Sequence, residues 1–346
     1  MECWLVLLLA CVFGRRNENQ NMLKLKYMFE NFELAKYVLQ NYEHDMERLD
    51  EALSWFRISA NAVYPFFCGG ELCFLRLAPA EEKNFYDIQG EIEFILHLRA
   101  CGYPAMEPIP AKNGTYCLSL DTPWGRYYAC AFRRVSGKPL ENVEMDDAVL
   151  YEYGAALGRL HSLSQIFTPS VRKSSYADVL VAMHDEFTAE DVPEPVHQEL
   201  VAVSNQLTLL PQTAETFGIV HYDFEPDNVF WNAENHQCSV IDFDDGMYHW
   251  FVLDVEQVFD CLTEFFEGDA LQKAKEQFLK GYQTHHAFTE EMEASMPLMR
   301  RFIDLYSYAR LRHCLSEPVS AKPEWMMYLE KRLRSKMRNL ESRMDR

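Results

Sequence analysis

The segment from His221 to Asp244 constrains this chain more than any other. It reads His221-Tyr222-Asp223-Phe224-Glu225-Pro226-Asp227-Asn228, then Phe230-Trp231, a polar Asn232-Ala233-Glu234-Asn235, then Ser239-Val240-Ile241-Asp242-Phe243-Asp244. Two short apolar runs around a turn-forming cluster predict a β-hairpin. A hairpin brings the chain back to its start, so Asp242 is expected beside the loop that carries Asp223 and Asn228. The plainer alternative is a solvated loop followed by a polar strand end. It leaves the spacing of three functional side chains to coincidence.

Those side chains suit phosphoryl transfer, which leaves a protein little covalent work beyond placing a hydroxyl, a metal ion and a triphosphate in line. The order H-x-D-x-x-x-x-N followed by a strand-borne Asp supplies the parts, as in a kinase catalytic loop and its metal-binding aspartate. Asp223 is the candidate catalytic residue, accepting or orienting the proton of the attacking hydroxyl. Asn228 and Asp242 are the candidate metal ligands, holding an ion from two sides.

The 346 residues, 48% hydrophobic and 25% charged, suffice for two lobes with a sizeable core. A net charge of −20 argues against nucleic acid, which needs a basic footprint. It favours solubility and tolerates cationic ligands, though simple acidic solubility accounts for it equally well. Ten cysteines without CxxC pairs or metal-ligand spacing imply reduced thiols and a cytoplasmic protein. Cys68 and Cys73 flank a Gly69-Gly70 turn, so they either face each other across a hairpin or pack in the core. The apolar run from Trp4 to Phe13 has its Arg15-Arg16 on the wrong side for a signal peptide and is short for a membrane span. A lipoprotein cleavage site is only faintly suggested at Leu9-Ala10-Cys11. Residues 1–21 are therefore expected to be a non-native or disordered extension ahead of a start at Met22, and no other segment is apolar enough to cross a membrane.

Apolar spacing predicts a helix from Leu23 to Tyr42, and strands at 56–59, 63–67 and 72–77. A helix over 84–99 and strands at 115–120 and 126–132 follow, then helices at 151–162, 175–187 and 195–209. After the hairpin, helices resume from Leu253 to the end. The tail from Pro323, with its three-to-four spacing of Met and Leu, is expected to pack on the C-lobe, a dimer seam being the alternative. The division expected is a helical segment 22–54, an N-lobe 55–132, a hinge 133–139 and a C-lobe 140–346. The C-lobe carries the catalytic loop 221–228 and the metal site 242–245.

From Trp55 to Asp260 the chain resembles the aminoglycoside phosphotransferase and choline kinase superfamily. The resemblance rests on Phe74-Leu75-Arg76-Leu77, Gly90-Glu91, Gly158-x-x-His161, His221-x-Asp223 with Asn228, and Asp242. It implies an α+β, bilobal protein-kinase-like fold, with a small antiparallel N-lobe sheet plus helix and a larger, mostly helical C-lobe. ATP (or GTP) is then expected between the lobes, with Mg2+ on Asn228 and Asp242. The nucleotide contacts implied are Arg76, oriented by Glu91 with Glu93 in reserve, Asn61 in the 59–62 turn, and Arg133 and Val135 at the hinge. Three departures stand out. Tyr222 replaces the family's usual Gly, Arg76 replaces the strand lysine of protein kinases, and Asp242-Phe243-Asp244-Asp245-Gly246 replaces D-F-G. Arginine keeps the charge and can grip phosphate with two N–H groups, but it is bulkier. The alternative for Arg76 is an exposed residue paired with Glu81 or Glu82.

His221 is expected to brace the loop, His161 to be a satisfied core residue, and Asp254 either to bond the catalytic-loop backbone or to cap a helix. Acceptor recognition is expected just past the metal aspartate, from Asp244, Asp245, Tyr248, Trp250, Glu256 and Asp260. The function expected is an ATP-dependent kinase for a small hydroxylated molecule, aminoglycoside-like or another amino alcohol, acting as monomer or homodimer without nucleic acid or membrane. A nucleotide-binding pseudokinase and a stress-response Ser/Thr protein kinase are the alternatives. The fold alone does not choose the acceptor.

Overall fold

The computed structural model describes residues 23–189 and 191–345. The expectations about residues 1–21 and Met22 lie outside the described residues. The chain forms two compact units, each assembled from separated segments. The described parts of the first are 23–85, 108–134 and 310–337, and those of the second are 86–107, 135–309 and 338–345.

The first unit is built on one sheet. Strands β1 (Arg57–Ile58), β2 (Ala62–Cys68), β3 (Glu71–Pro79), β4 (Glu107–Ile109), β5 (Cys117–Thr122) and β6 (Gly125–Arg133) run in the order β1-β2-β3-β6-β4, with β5 also on β6. Side chains alternate across a strand, and the sequence obeys that period. Leu75, Leu77, Ala129, Ala131, Tyr64 and Phe66 fall on one face and are buried with Leu34, Val38 and Leu39. Full burial of each large apolar side chain contributes about 1.5–3 kcal/mol. Arg76 lies across from Cys130 and so takes the other face, its guanidinium 5.1 Å from the centre of the Phe132 ring.

The helix expected over 23–42 is broken. A 3-10 turn at Leu25–Tyr27 gives way to helix α1 (Phe32–Leu39), because Asn31 leaves helical geometry and accepts the Leu34 N–H at 2.9 Å as an N-cap. Helix α2 (Leu49–Leu53) follows. Cys68 lies across from Glu71 and Cys73 across from Phe66, so the two thiols are not opposed. Cys117 and Cys130 are opposed instead, the Cys130 thiol donating to the Cys117 sulfur at 3.6 Å with no disulfide between them.

Two regions group differently from the division expected. Residues 310–337 belong with the first unit, not with the C-terminal helices. Charge and ring contacts explain this: Glu317 takes both Lys24 and Lys26, His313 meets Glu82, and Trp325 packs on Phe29. Helix α3 (Phe85–Ala100), expected with the sheet, groups from Tyr86 with the second unit. There Phe94 packs on Phe167 and Phe243.

The second unit continues with helices α4 (Asp147–Gln165), α5 (Tyr176–Glu186), α6 (Glu194–Leu207), α7 (Val252–Leu262) and α8 (Gly268–Tyr282). Helices α9 (Glu290–Leu315) and α10 (Glu324–Met344) end the chain. Strands β7 (Lys138–Pro139), β9 (Val229–Asn232) and β10 (Gln237–Val240) form one small sheet, and β8 (Phe217–Val220) and β11 (Met247–Trp250) another. Helices α4 and α8 cross closely through glycines. A Cβ on Gly154 would stand 1.8 Å from the Phe278 carbonyl oxygen, and one on Gly281 the same distance from that of Tyr151. That approach brings the Tyr282 hydroxyl to 2.9 Å from His161 Nδ1, beneath the 221–228 loop.

Candidate active site

The hairpin forms with Val229 opposite Val240 and Trp231 opposite Cys238, its turn at 233–236. Ile241 N–H then bonds the Asn228 carbonyl at 3.0 Å, which returns the chain to the loop. Asn228 Nδ2 donates to the Asp223 carboxylate at 2.7 Å and to its carbonyl at 3.0 Å. Both residues are buried.

The loop is held from below. Asp254, fully buried on α7, accepts the backbone N–H groups of His221 and Tyr222, each at 2.8 Å, and faces His161 Nε2 at 3.0 Å. Of its two expected roles, bonding the loop backbone is the one formed. His221 braces the loop from within: its Nδ1 accepts the Asp223 N–H, so Nε2 carries the proton donated to the Ile241 carbonyl. Burial holds the imidazole down at about 4, hence neutral. Tyr222 takes the left-handed backbone, with φ at 65°. A side chain there costs roughly 1–2 kcal/mol, which explains the glycine usual at that position. Its ring is buried and packs on Tyr306.

Electrostatics mark the same place. Burial, then Glu225, Asp227, Asp245 and Asp242, push the Asp223 carboxyl well above the usual carboxylate range. Four further carboxylates thus act on the Asp223 carboxyl, a crowding of like charge beside the Asn228 amide that donates to it. Among the described residues no three His, Cys, Asp or Glu side chains form a ready metal cage. The donor set nevertheless fits a hard cation that takes one or two carboxylates and completes its shell with water and phosphate oxygens. Asn228 Oδ1 and Asp242 would supply the protein ligands, and the cation would relieve the crowding.

The expected acceptor residues fare unequally. Trp250 is core: 3% exposed, it packs on Tyr176 and Phe217 and donates Nε1–H to the Pro211 carbonyl. Glu256 and Asp260 are both paired with Arg300, each at 2.9 Å, because α9 brings that arginine against α7. The Tyr248 ring already carries a cation, Arg172, at 5.6 Å. Asp244 and Asp245 stay on the loop after Asp242, half-buried. Glu225 and Asp227 went unremarked in the sequence, although they stand two and four residues past Asp223 in the motif itself. Burial, then Glu225, Asp260, Glu264 and Asp223, push up the thiol of half-buried Cys261.

Of the expected nucleotide contacts, Arg76, Glu91 and Asn61 are buried, at 7%, 1% and 5% exposure. Arg76 is thus no exposed strand residue; Glu81 pairs with Lys26, and Glu82 with Lys24 and His313. Glu93 is spent accepting the N–H groups of Ser170 and Val171, so it is no reserve for Arg76. Arg133 is paired with Glu71, and Val135 is half-buried just past β6.

A strand sheet with a buried cationic residue on one face, a helical unit, and a buried Asp–Asn loop closed by a hairpin define a phosphotransferase of kinase-like fold. The chain belongs to the phosphotransferase enzyme family, whose model matches residues 69–293. It is 24% identical over 261 residues to amicoumacin kinase of Bacillus subtilis (strain 168), covering 74% of this chain and 75% of that protein. The fold matches that of amicoumacin kinase hAmiN, solved with AMP-PNP, Ca2+ and Ami: TM-score 0.73, 18% identity, 91% of this chain and 95% of that one. It also matches a microcompartment-associated aminopropanol kinase: TM-score 0.66, 18% identity, 90% and 97% coverage.

Proposed function

We propose that this enzyme transfers the γ-phosphate of ATP, with Mg2+, to the hydroxyl of a small molecule that also carries an amine. The observation that carries the reading is the buried Asp223–Asn228 pair, with burial and four further carboxylates pushing the Asp223 carboxyl up. Asp223 orients or takes the hydroxyl proton, and its raised affinity for protons suits a group that must accept one. Asn228 keeps its amide N–H on Asp223 and leaves Oδ1 to the cation, with Asp242 as the other ligand. When bound, the cation supplies charge neutralisation at the transferring phosphoryl group. Arg76 presents a fork of N–H donors to phosphate. The amine is drawn by the acids that act on Asp223, Glu225 and Asp245 among them. Relatives named for aminopropanol and for homoserine act on molecules bearing both an amine and a hydroxyl, which supports the same acceptor class.

The test is nucleotide consumption by the purified protein, with ATP and with GTP. Acceptors would be aminopropanol, homoserine, choline, spectinomycin and an aminoglycoside, each amine compared with a neutral alcohol of matched shape. Turnover on an amine-bearing alcohol, weakening as salt rises, is expected. Preference for the neutral partner would reject the amine, and phosphorylation of a protein substrate alone would favour the protein-kinase alternative.

A further inference from the structure

Lys173 lies in the segment between α4 and α5 and is 3% exposed. Its ammonium donates to two consecutive carbonyls, those of Phe243 and Asp244, each at 3.1 Å. These are the two residues that follow Asp242. An ammonium is expensive to bury and stays inside only where its donors are satisfied. Here the donors turn two peptide planes toward one point, immediately beside a residue held in the left-handed region with φ at 64°. An L-residue keeps that backbone only when its surroundings over-determine it.

The segment that delivers Lys173 is itself fastened to α3. Glu93 accepts the N–H groups of Ser170 and Val171 at 2.8 and 3.0 Å. Asp87 accepts the Ser174 N–H and hydroxyl at 2.6 and 2.8 Å. Between them sits Gly90, where a Cβ would stand 2.7 Å from Lys173 Cγ and 3.0 Å from the Val171 carbonyl oxygen. Residues three apart share a helix face, so Asp87, Gly90 and Glu93 form one docking face for the 170–174 segment. Its far end is tied as well, since Tyr248 N–H bonds the Ser174 carbonyl at 3.0 Å.

We propose that Lys173 is a positioning residue for phosphoryl transfer. Its ammonium fixes the loop that presents Asp242, and the Asp87–Gly90–Glu93 face of α3 holds it in place. The inference rests on Asp242 being a metal ligand. Outer contacts of this kind typically alter metal affinity about 10–100-fold.

The experiment is calorimetric titration of Mg2+ and Mn2+ into the full chain with a non-hydrolysable ATP analogue, alongside steady-state rates across a metal series. Lys173→Met should weaken metal binding by about 10–100-fold. Nucleotide affinity without metal should stay unchanged, and excess metal should recover most of kcat. Glu93→Gln should shift metal affinity in the same direction by less. A purely structural role would lower Tm in Lys173→Met and leave metal affinity alone, which would overturn the proposal. If Lys173→Met does not fold, Lys173→Arg and Glu93→Gln decide: unshifted metal affinity in both would overturn it. Asp242→Ala separates the two ideas. Metal binding lost there but kept in Lys173→Met rejects only the role of Lys173. Metal binding kept in Asp242→Ala rejects the ligand assignment and the inference with it.

Discussion

The 221–228 loop and α7 are both rich in acids, and the fold gives them different partners. Along 221–228, burial first and then like charge from Glu225 and Asp227 push the Asp223 carboxyl up. On α7, Glu256 and Asp260 meet Arg300 at 2.9 Å and are neutralised within the fold. A row of acids therefore says little about cation binding until the basic residues brought to it are known.

The sharpest break of that contrast is Asp223→Asn. Turnover should fall by about 10²–10⁴, while nucleotide affinity in a direct binding assay changes little. A variant retaining a tenth of the activity would remove Asp223 from the chemistry. The same substitution carries a stability signature. A carboxyl whose folded pKa is raised stabilises the fold only at low pH, and that contribution is lost as pH rises toward its folded value. Metal-free Asp223→Asn should therefore melt higher than wild type at neutral pH, with the gap shrinking as Mg2+ and nucleotide are added.

Next in size is Asp254→Leu, which strands two loop N–H groups. Each buried donor left without a partner costs roughly 1–3 kcal/mol, so urea unfolding should show a loss of that order or more, and kcat should fall with it. Unchanged stability would mean the loop is held by something other than Asp254.

Smaller still is the comparison of Glu225→Gln with Glu256→Gln. Removing the loop acid should cut the preference for an amine-bearing over a neutral acceptor by about tenfold, equivalent to ~1.4 kcal/mol. The α7 substitution should leave that preference alone. Equal effects would erase the distinction drawn between the two regions.

The mildest effect is a pH slope. Burial holds His221 at about 4 and His249 at about 3, both below the ordinary 6.5. The unfolded chain therefore takes up protons before the native one as pH falls. The share of stability due to these imidazoles should be complete above about 6.5 and decline steadily toward pH 4 and 3, read as Tm across a buffer series in the Asp223→Asn background. A flat profile over that range would mean that these imidazoles ionise without unfolding.

The hairpin, the Asp223–Asn228–Asp242 spacing and the alternation in β2, β3 and β6 were all legible in the linear chain. Each depends on neighbours a few residues apart, where strand period and turn chemistry act directly. The break at Asn31 was legible only in part. Its capping chemistry is local, but the apolar period runs on through it from Leu25 to Leu34, both buried. What the tertiary structure alone decided was the state of each charge. Glu256 meets an arginine 44 positions away, Asp254 reaches the loop across 33, and Lys173 reaches the Phe243 carbonyl across 70. An acid's effect depends on its partner and on its exposure to water. Both are properties of packing, and residue order supplies the acid without saying what will stand beside it.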